Sequence, residues 1–312
     1  MVHRFPITLT QLTYFVECAK TLNMTTASQE LHIAQSAVST AINQLEKALG
    51  APLFVRQHSK GLVLTSAGES LLQETRQIFG LITDAVESIQ AGQKEVRGTI
   101  VLACFKTIAP FILPQLLGAL EAEHPELTVE VVEGDHEECL AALRSGRAEI
   151  ALNYDLTEND GIDAQRVGTV RPHLIVGTDH RLAGRSEVRL AELDDDPLVL
   201  LDLPDSREYF LSILRSGGIT PRVKHRSSSY ETVRSMVAMG LGYSILNQRP
   251  RIAETYTGER TAILEIADPA PSLHVVTSTL SRSRTTAKAQ AVTAAARSIL
   301  AEAAPEQATV IP

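Results

Sequence analysis

Hydrophobic positions in the first fifty residues fall at helical spacing. Leu12, Phe15, Val16 and Ala19 recur on one face of a helix, with Thr8 or Thr10 placed to cap its start. A short second helix is expected from about Thr25 to Leu31, followed by a turn at His32 to Gln35. In the third, capped by Ser36, Val38, Ile42, Leu45 and Leu49 form one apolar stripe, and Gly50 ends the helix. Three short helices joined by tight turns make a helix-turn-helix unit. From Pro52 to Thr65 the pattern shortens to two strands, around Leu53 to Arg56 and Leu62 to Leu64, joined by the polar turn His58-Ser59-Lys60-Gly61. This hairpin is a wing.

Thr65 or Ser66 caps the next element, Ser66 with Glu69 matching a capping box. Leu71, Leu72, Ile78, Leu81, Ile82, Val86 and Ile89 then carry the helical period to about Gln90. A helix that long with a repeating apolar face needs a partner to cover it, so it is expected to link and to dimerise. Beyond Gly92 short β-rich runs alternate with helices, the signature of an α/β domain. Strands are expected at Thr99 to Ala103, Thr128 to Glu133, Glu149 to Asn153, His173 to Gly177, Leu198 to Leu201, Tyr243 to Leu246 and Leu273 to Thr277. Helices are expected at Pro110 to Glu123, His136 to Arg144, Ser206 to Ser216, Tyr230 to Ala238 and Ala287 to Ala301. That order allows two lobes with the chain crossing twice.

The expected division is therefore a winged helix-turn-helix over residues 1–66, a linker helix over 67–91, and a two-lobed domain over 92–301. Lobe I takes about 92–165 and 270–301, lobe II about 166–269, and 302–312 is a frayed tail. At 312 residues the chain is long enough for more than one core.

The net charge of −8 changes meaning when divided along the chain. Residues 1–66 hold five Lys or Arg (Arg4, Lys20, Lys47, Arg56, Lys60) against three acids, a net +2, which leaves −10 on the remainder. A basic head on an acidic body suits a module that touches phosphate joined to one that does not. The first thirty residues lack the run of a secretory signal, and the apolar stretch Thr107 to Leu120 is broken by Pro110 and Pro114, so a cytoplasmic chain without membrane contact is expected. Cys18, Cys104 and Cys139 show no CxxC pairing, which excludes a disulfide framework or zinc site; a redox-sensing thiol at Cys104 stays open beside the plain buried cysteine. There is no GxSxG, P-loop, HExxH or post-strand GxGxxG, so no enzyme and no cofactor is expected.

The stretch LTQLTYFVECAKTLNMTTASQELHIAQSAVSTAINQLEKALGAPLFVRQ, Leu9 to Gln57, resembles the DNA-binding domain of LysR-type transcription regulators. LTSAGESLL fits the family's wing exit, and HPELTVEVVEG and VAMGLGYSIL fit its effector domain, so the resemblance covers about residues 5–301. It implies an all-α winged helix-turn-helix followed by a periplasmic-binding-protein-like effector domain, and a dimer or tetramer on an interrupted palindromic operator. A small-molecule effector, with carboxylates as the model, is implied as well, and RNA polymerase as a partner if the chain activates. Thr26 and Thr40 stand where the family often has Arg, Glu149 where it has Asp, and Phe105 where a Ser is common.

Within that frame, the residues off the apolar stripe of the third helix, Gln35, Ser36, Ser39, Thr40 and Asn43, are short and uncharged and suit base edges in a major groove. Thr25 suits a phosphate contact, or an ordinary N-cap, and Arg56 and Lys60 bring charge to the wing. In the effector domain Thr107 follows a strand and precedes a helix, so its hydroxyl and the helix N-terminus suit an anion between the lobes. Lys106 adds charge there, Phe105 an apolar wall, Ser228, Ser229 and Tyr230 open a facing helix, and Arg207 heads another.

Overall fold

The structure is a computed structural model and describes residues 6–57, 61–90, 96–157, 159–281 and 285–306. The chain divides into two compact units, residues 1–92 with 144–147, and residues 93–143 with 148–312.

In the first unit α1 (Leu9–Thr21), α2 (Met24–Glu30) and α3 (Gln35–Leu49) precede a hairpin of β1 (Phe54–Gln57) and β2 (Gly61–Leu64), and α4 (Ser66–Gln90) leaves it. Helical periodicity places Leu12, Phe15, Val38, Ile42, Leu45, Leu53, Phe54 and Leu62 in one buried cluster, with the Phe15 and Phe54 rings 5.5 Å apart. Thr8 caps α1 in a reciprocal capping box with Gln11, and Gly50 closes α3 in the left-handed conformation at φ 68°.

The starts of three helices sharpen or shift the expected caps. The N-cap of α2 is Asn23, whose Oδ1 accepts from the N–H groups of Thr25 (2.8 Å) and Thr26 (3.2 Å), so Thr25 sits inside the helix and not at its cap. α3 starts behind Ala34 without a side-chain cap, and Ser36 lies in its first turn. At α4 the structure chooses Thr65 of the two expected caps: its Oγ1 accepts from Gly68 N at 3.0 Å. For α2 and α3 a carbonyl two residues upstream of the expected cap already faces the free N–H groups.

The second unit holds two lobes. β3 (Gly98–Phe105), α5 (Ala109–Glu123), β4 (Leu127–Gly134), α6 (His136–Arg144), β5 (Ile150–Tyr154) and β6 (Ile162–Val170) build most of the first. The second lobe contains β7 (His173–Gly177), β8 (Glu187–Val188), β9 (Pro197–Leu201), α7 (Ser206–Ser216), β10 (Arg222–Ser227), α8 (Tyr230–Ala238), β11 (Ser244–Leu246) and β12 (Thr261–Ile266). β13 (Leu273–Leu280) and α9 (Ala287–Glu306) return to the first. The first lobe's sheet has the order β4-β3-β5-β13-β6, so β6 carries it to Val170, past the boundary expected near residue 165. The second lobe's strands run β11-β7-β12-β8 and β10-β9, joined by a bridge from Leu198 to Tyr243.

Strand alternation sends the two faces of the first sheet to different helices. Ile100, Leu102 and Leu152 pack with α5 and α9 residues such as Leu116, Leu120 and Val292. Ala103 and Ala151 face the other way, under Leu140 and Leu143 of α6. α6 has nine residues and covers part of that second face.

Gly68 fixes how α4 meets the wing: a Cβ there would lie 2.2 Å from the Leu53 carbonyl oxygen, which accepts from Thr65 N at 3.0 Å. Gly68→Ala is therefore expected to destabilise the first unit by about 1–3 kcal/mol, as overpacking against backbone does. Denaturant unfolding followed on that unit checks this, and an unchanged midpoint would show that α4 can shift freely.

Candidate functional site

The first candidate site is the face that α3 turns away from its core. The buried stripe Val38, Ala41, Ile42 and Leu45 commits one side of the helix. Gln35, Ser36, Thr40 and Asn43 are consequently exposed and Ser39 half-buried, so the helix presents amides and hydroxyls to solvent. Gln44 on the same helix accepts from Gln11 Nε2 at 3.1 Å, and Glu46 accepts from the backbone N–H groups of Leu53 (2.7 Å) and Phe54 (3.3 Å). Glu46 thus ties the recognition-type helix to the start of the wing, a role that its sequence position, one residue past the stripe, did not announce. Thr25 is exposed on α2. Arg56 pairs with Leu62 in the hairpin, whose β2 is anchored by Leu62 N to Leu22 O at 2.8 Å, while Lys60 lies outside the described residues.

The second candidate site is the seam between the lobes of the second unit. β5 ends at Tyr154, whose buried hydroxyl accepts from Gln248 Nε2 at 2.9 Å and hydrogen-bonds the Thr107 side chain. Burial pushes that phenol up to about 12, and the bonds from Gln248 and Thr107 only partly offset it, so it is neutral and able to donate. Tyr230 donates to the Gln248 carbonyl at 2.7 Å and meets Phe111 edge-on, and Tyr209 donates to Pro271 O at 3.0 Å. Thr107, Tyr154, Ser206, Asn247 and Gln248 line a cavity of about 10 Å³, room for a single water.

The expected effector residues divide accordingly. Thr107 lines the cavity. Phe105 is fully buried and packs edge-on against the Tyr154 ring at 5.2 Å, so it backs the wall without forming it. Lys106 points its ammonium at Asp135 and Glu138, 3.9 Å from each. Arg207 is ion-paired with Asp202, which also holds Arg226 at 3.2 Å. Ser229 is the N-cap of α8 and accepts from Thr232 N at 3.3 Å; Ser228 beside it is exposed, and neither lines the cavity. The groups that converge are Tyr154, Gln248 and Tyr230; Tyr154 and Gln248, which sequence reading missed, lie 94 residues apart in the chain.

The redox reading of Cys104 loses its basis: the side chain is fully buried, and burial, reinforced by Cys139 and Glu133, raises the thiol well above the ordinary range. Among the described residues no cluster of three or more His, Cys, Asp or Glu is placed to hold a metal, and no helix is long and apolar enough to cross a membrane.

A polar-faced helix beside a wing, joined in one chain to a two-lobed α/β domain with a polar seam, defines a DNA-binding regulator with an effector-binding domain. Two family models match: "Bacterial regulatory helix-turn-helix protein, lysR family" over residues 9–69, and "LysR substrate binding domain" over 93–301. The chain belongs to the LysR family of transcription regulators. It is 31% identical over 265 residues to the HTH-type transcriptional regulator CfxR of Cupriavidus necator, covering 84% of this chain and 82% of that one. The crystal structure of HinK, a LysR family transcriptional regulator from Pseudomonas aeruginosa, superposes with a TM-score of 0.64 at 31% identity over 94% of this chain and 99% of that one. Full-length CbnR complexed with target DNA shares the fold at a TM-score of 0.55 and 21% identity, over 94% and 100% of the two chains. These relatives and neighbours are transcription regulators, not enzymes.

The caps yield a test of which residues on the polar face are free to act. Asn23→Ala is expected to cost about 1 kcal/mol of stability, whereas Ser36→Ala, which removes no cap bond, costs a few tenths at most. Urea unfolding of the two variants decides it; a larger loss for Ser36→Ala would make that serine structural.

Proposed function

We propose that this chain represses or activates transcription by reading an interrupted palindromic operator as a dimer or tetramer, under control of a small organic anion taken up between the lobes. The observation that carries the DNA half is the uncharged exposed face of α3. Gln35, Ser36, Ser39, Thr40 and Asn43 supply donors and acceptors that match base edges, and Thr25, Arg56 and Lys60 serve the phosphates. The similarity to CbnR, whose title describes a complex with target DNA, supports the same role for this head. Ile78, Ile82 and Val86, 37%, 38% and 46% exposed and four residues apart on α4, form an apolar stripe that a second copy would cover. Two heads held so would match operator two-fold symmetry. The setting is the cytoplasm, with RNA polymerase as the further partner if the chain activates.

For the effector, Thr107, Tyr154, Ser206, Asn247 and Gln248 offer hydroxyl and amide donors from both lobes, a set that suits a carboxylate without a cationic side chain. With room for about one water now, uptake has to break the Tyr154 to Gln248 bond and separate the lobes. Entry therefore converts ligand binding into lobe movement. Lys106, Arg207, Ser228 and Ser229 act only if that movement brings them inward.

Gln35→Ala is expected to weaken operator binding by about 1–3 kcal/mol while leaving binding to random DNA nearly unchanged. Fluorescence anisotropy on both DNAs, across a salt series, checks this; equal losses on both would reassign Gln35 to the phosphate backbone. For the effector, a saturating carboxylate from a screened set is expected to raise the melting midpoint of wild type but not of Thr107→Val, which keeps its DNA affinity. A carboxylate set without any shift would overturn the anion reading.

A further inference from the structure

The first lobe has a second cavity apart from the seam. It lies on the face of the five-stranded sheet that α6 leaves uncovered, and it measures about 360 Å³, within the ordinary range for small-ligand pockets. Its floor follows from strand register. Asn153 of β5 stands opposite Val276 of β13, and Ser278 opposite Ala164 of β6, so four neighbouring side chains of the same face form it. Leu140 of α6 closes one side. The rim is knit by His136 Nε2 to Thr157 Oγ1 at 3.1 Å and Asn159 Nδ2 to Thr157 O at 2.8 Å.

Two independent observations give this cavity a chemical preference. Asn153 is 1% exposed, and its buried Oδ1 has no hydrogen-bond partner among the described residues. A buried acceptor left open is costly and is uncommon in folded proteins unless something donates to it. Asp155 and Asp160, both exposed, line the mouth, and among the described residues no Lys or Arg lines it. An inner acceptor and two outer carboxylates select a ligand that carries donors and positive charge.

We infer that the first lobe carries a second ligand site, for a small protonated amine, with Asn153 Oδ1 accepting from the ammonium and Asp155 and Asp160 attracting it at the mouth. This site is separate from the seam but shares a wall with it, because Tyr154 lines both cavities. Its hydroxyl is the group that Gln248 of the second lobe holds. Strand alternation turns the Tyr154 side chain away from the face that carries Asn153, so an amine on that face leaves the hydroxyl and its Gln248 bond in place.

The test is thermal melting of the full chain with ethanolamine, 1,4-diaminobutane and glucosamine, beside acetate, succinate and glycerol as anionic and neutral counterparts. At least one amine is expected to raise the midpoint saturably. Asn153→Leu, which keeps the branched shape without the acceptor, and Ala164→Trp, which fills the pocket from an exposed strand position, should each weaken that amine about tenfold or more. Thr107→Val should leave the amine response intact, which keeps this result distinct from failure of the anion reading at the seam. No shift with any amine, an equal shift in both pocket variants, or an Asn153-dependent shift from acetate or succinate in place of the amines would each overturn the inference.

Discussion

A helix can bury only one stripe, and in this chain that restriction makes α3 an instrument. Val38, Ala41, Ile42 and Leu45 are drawn into the cluster around Phe15 and Phe54, and the remaining side of the helix has no choice but to face outward. Everything around it preserves that orientation. Asn23 fixes the start of α2, Glu46 binds the first residues of the wing, and the Leu22 carbonyl holds Leu62. Gly68 lets α4 come against Leu53 where a methyl group would not fit. The head is thus rigid behind its polar face, which is the preorganisation that base reading needs.

The second unit solves a different problem with hydrogen bonds instead of apolar packing. Its two lobes share a core, yet the seam between them is held by Tyr154, Thr107, Gln248 and Tyr230, groups that can exchange one another for a ligand's polar atoms. Purely apolar contact there would resist opening, while a satisfied polar network can open when a ligand replaces its bonds. Tyr154 also borders the cavity over β5, β13 and β6.

Much of this architecture was legible because it rests on local periodicity. The helices at His136–Arg144, Ser206–Ser216 and Tyr230–Ala238 and the strand His173–Gly177 stand where the pattern put them. The strands Ile162–Val170, Arg222–Ser227 and Thr261–Ile266 were missed. The first two are polar strands at sheet edges, exposed along much of their length, and such segments carry no strong apolar signal. The caps of α2 and α3 shifted by two residues because nearby side-chain and backbone carbonyls compete for the same N–H groups, and only backbone geometry chooses among them. The polar face of α3 was readable residue by residue. At the seam Thr107 was found from its place after a strand, but Tyr154 and Gln248 were not. They meet only through tertiary packing, and Lys106, chosen for its charge, and Arg207, chosen for its place at a helix head, are held by nearby carboxylates.

The central claim is that α3 enters a major groove and that two copies do so in register. Methylation-protection footprinting of the full chain on the DNA upstream of its own gene tests this most directly. The account expects protected major-groove positions in two patches separated by about one helical turn, 10–10.5 base pairs, or a multiple of it, with the protection lost when Gln35 and Asn43 are both replaced by alanine. Protection confined to the minor groove, a single patch, or a footprint unchanged by those replacements would contradict it.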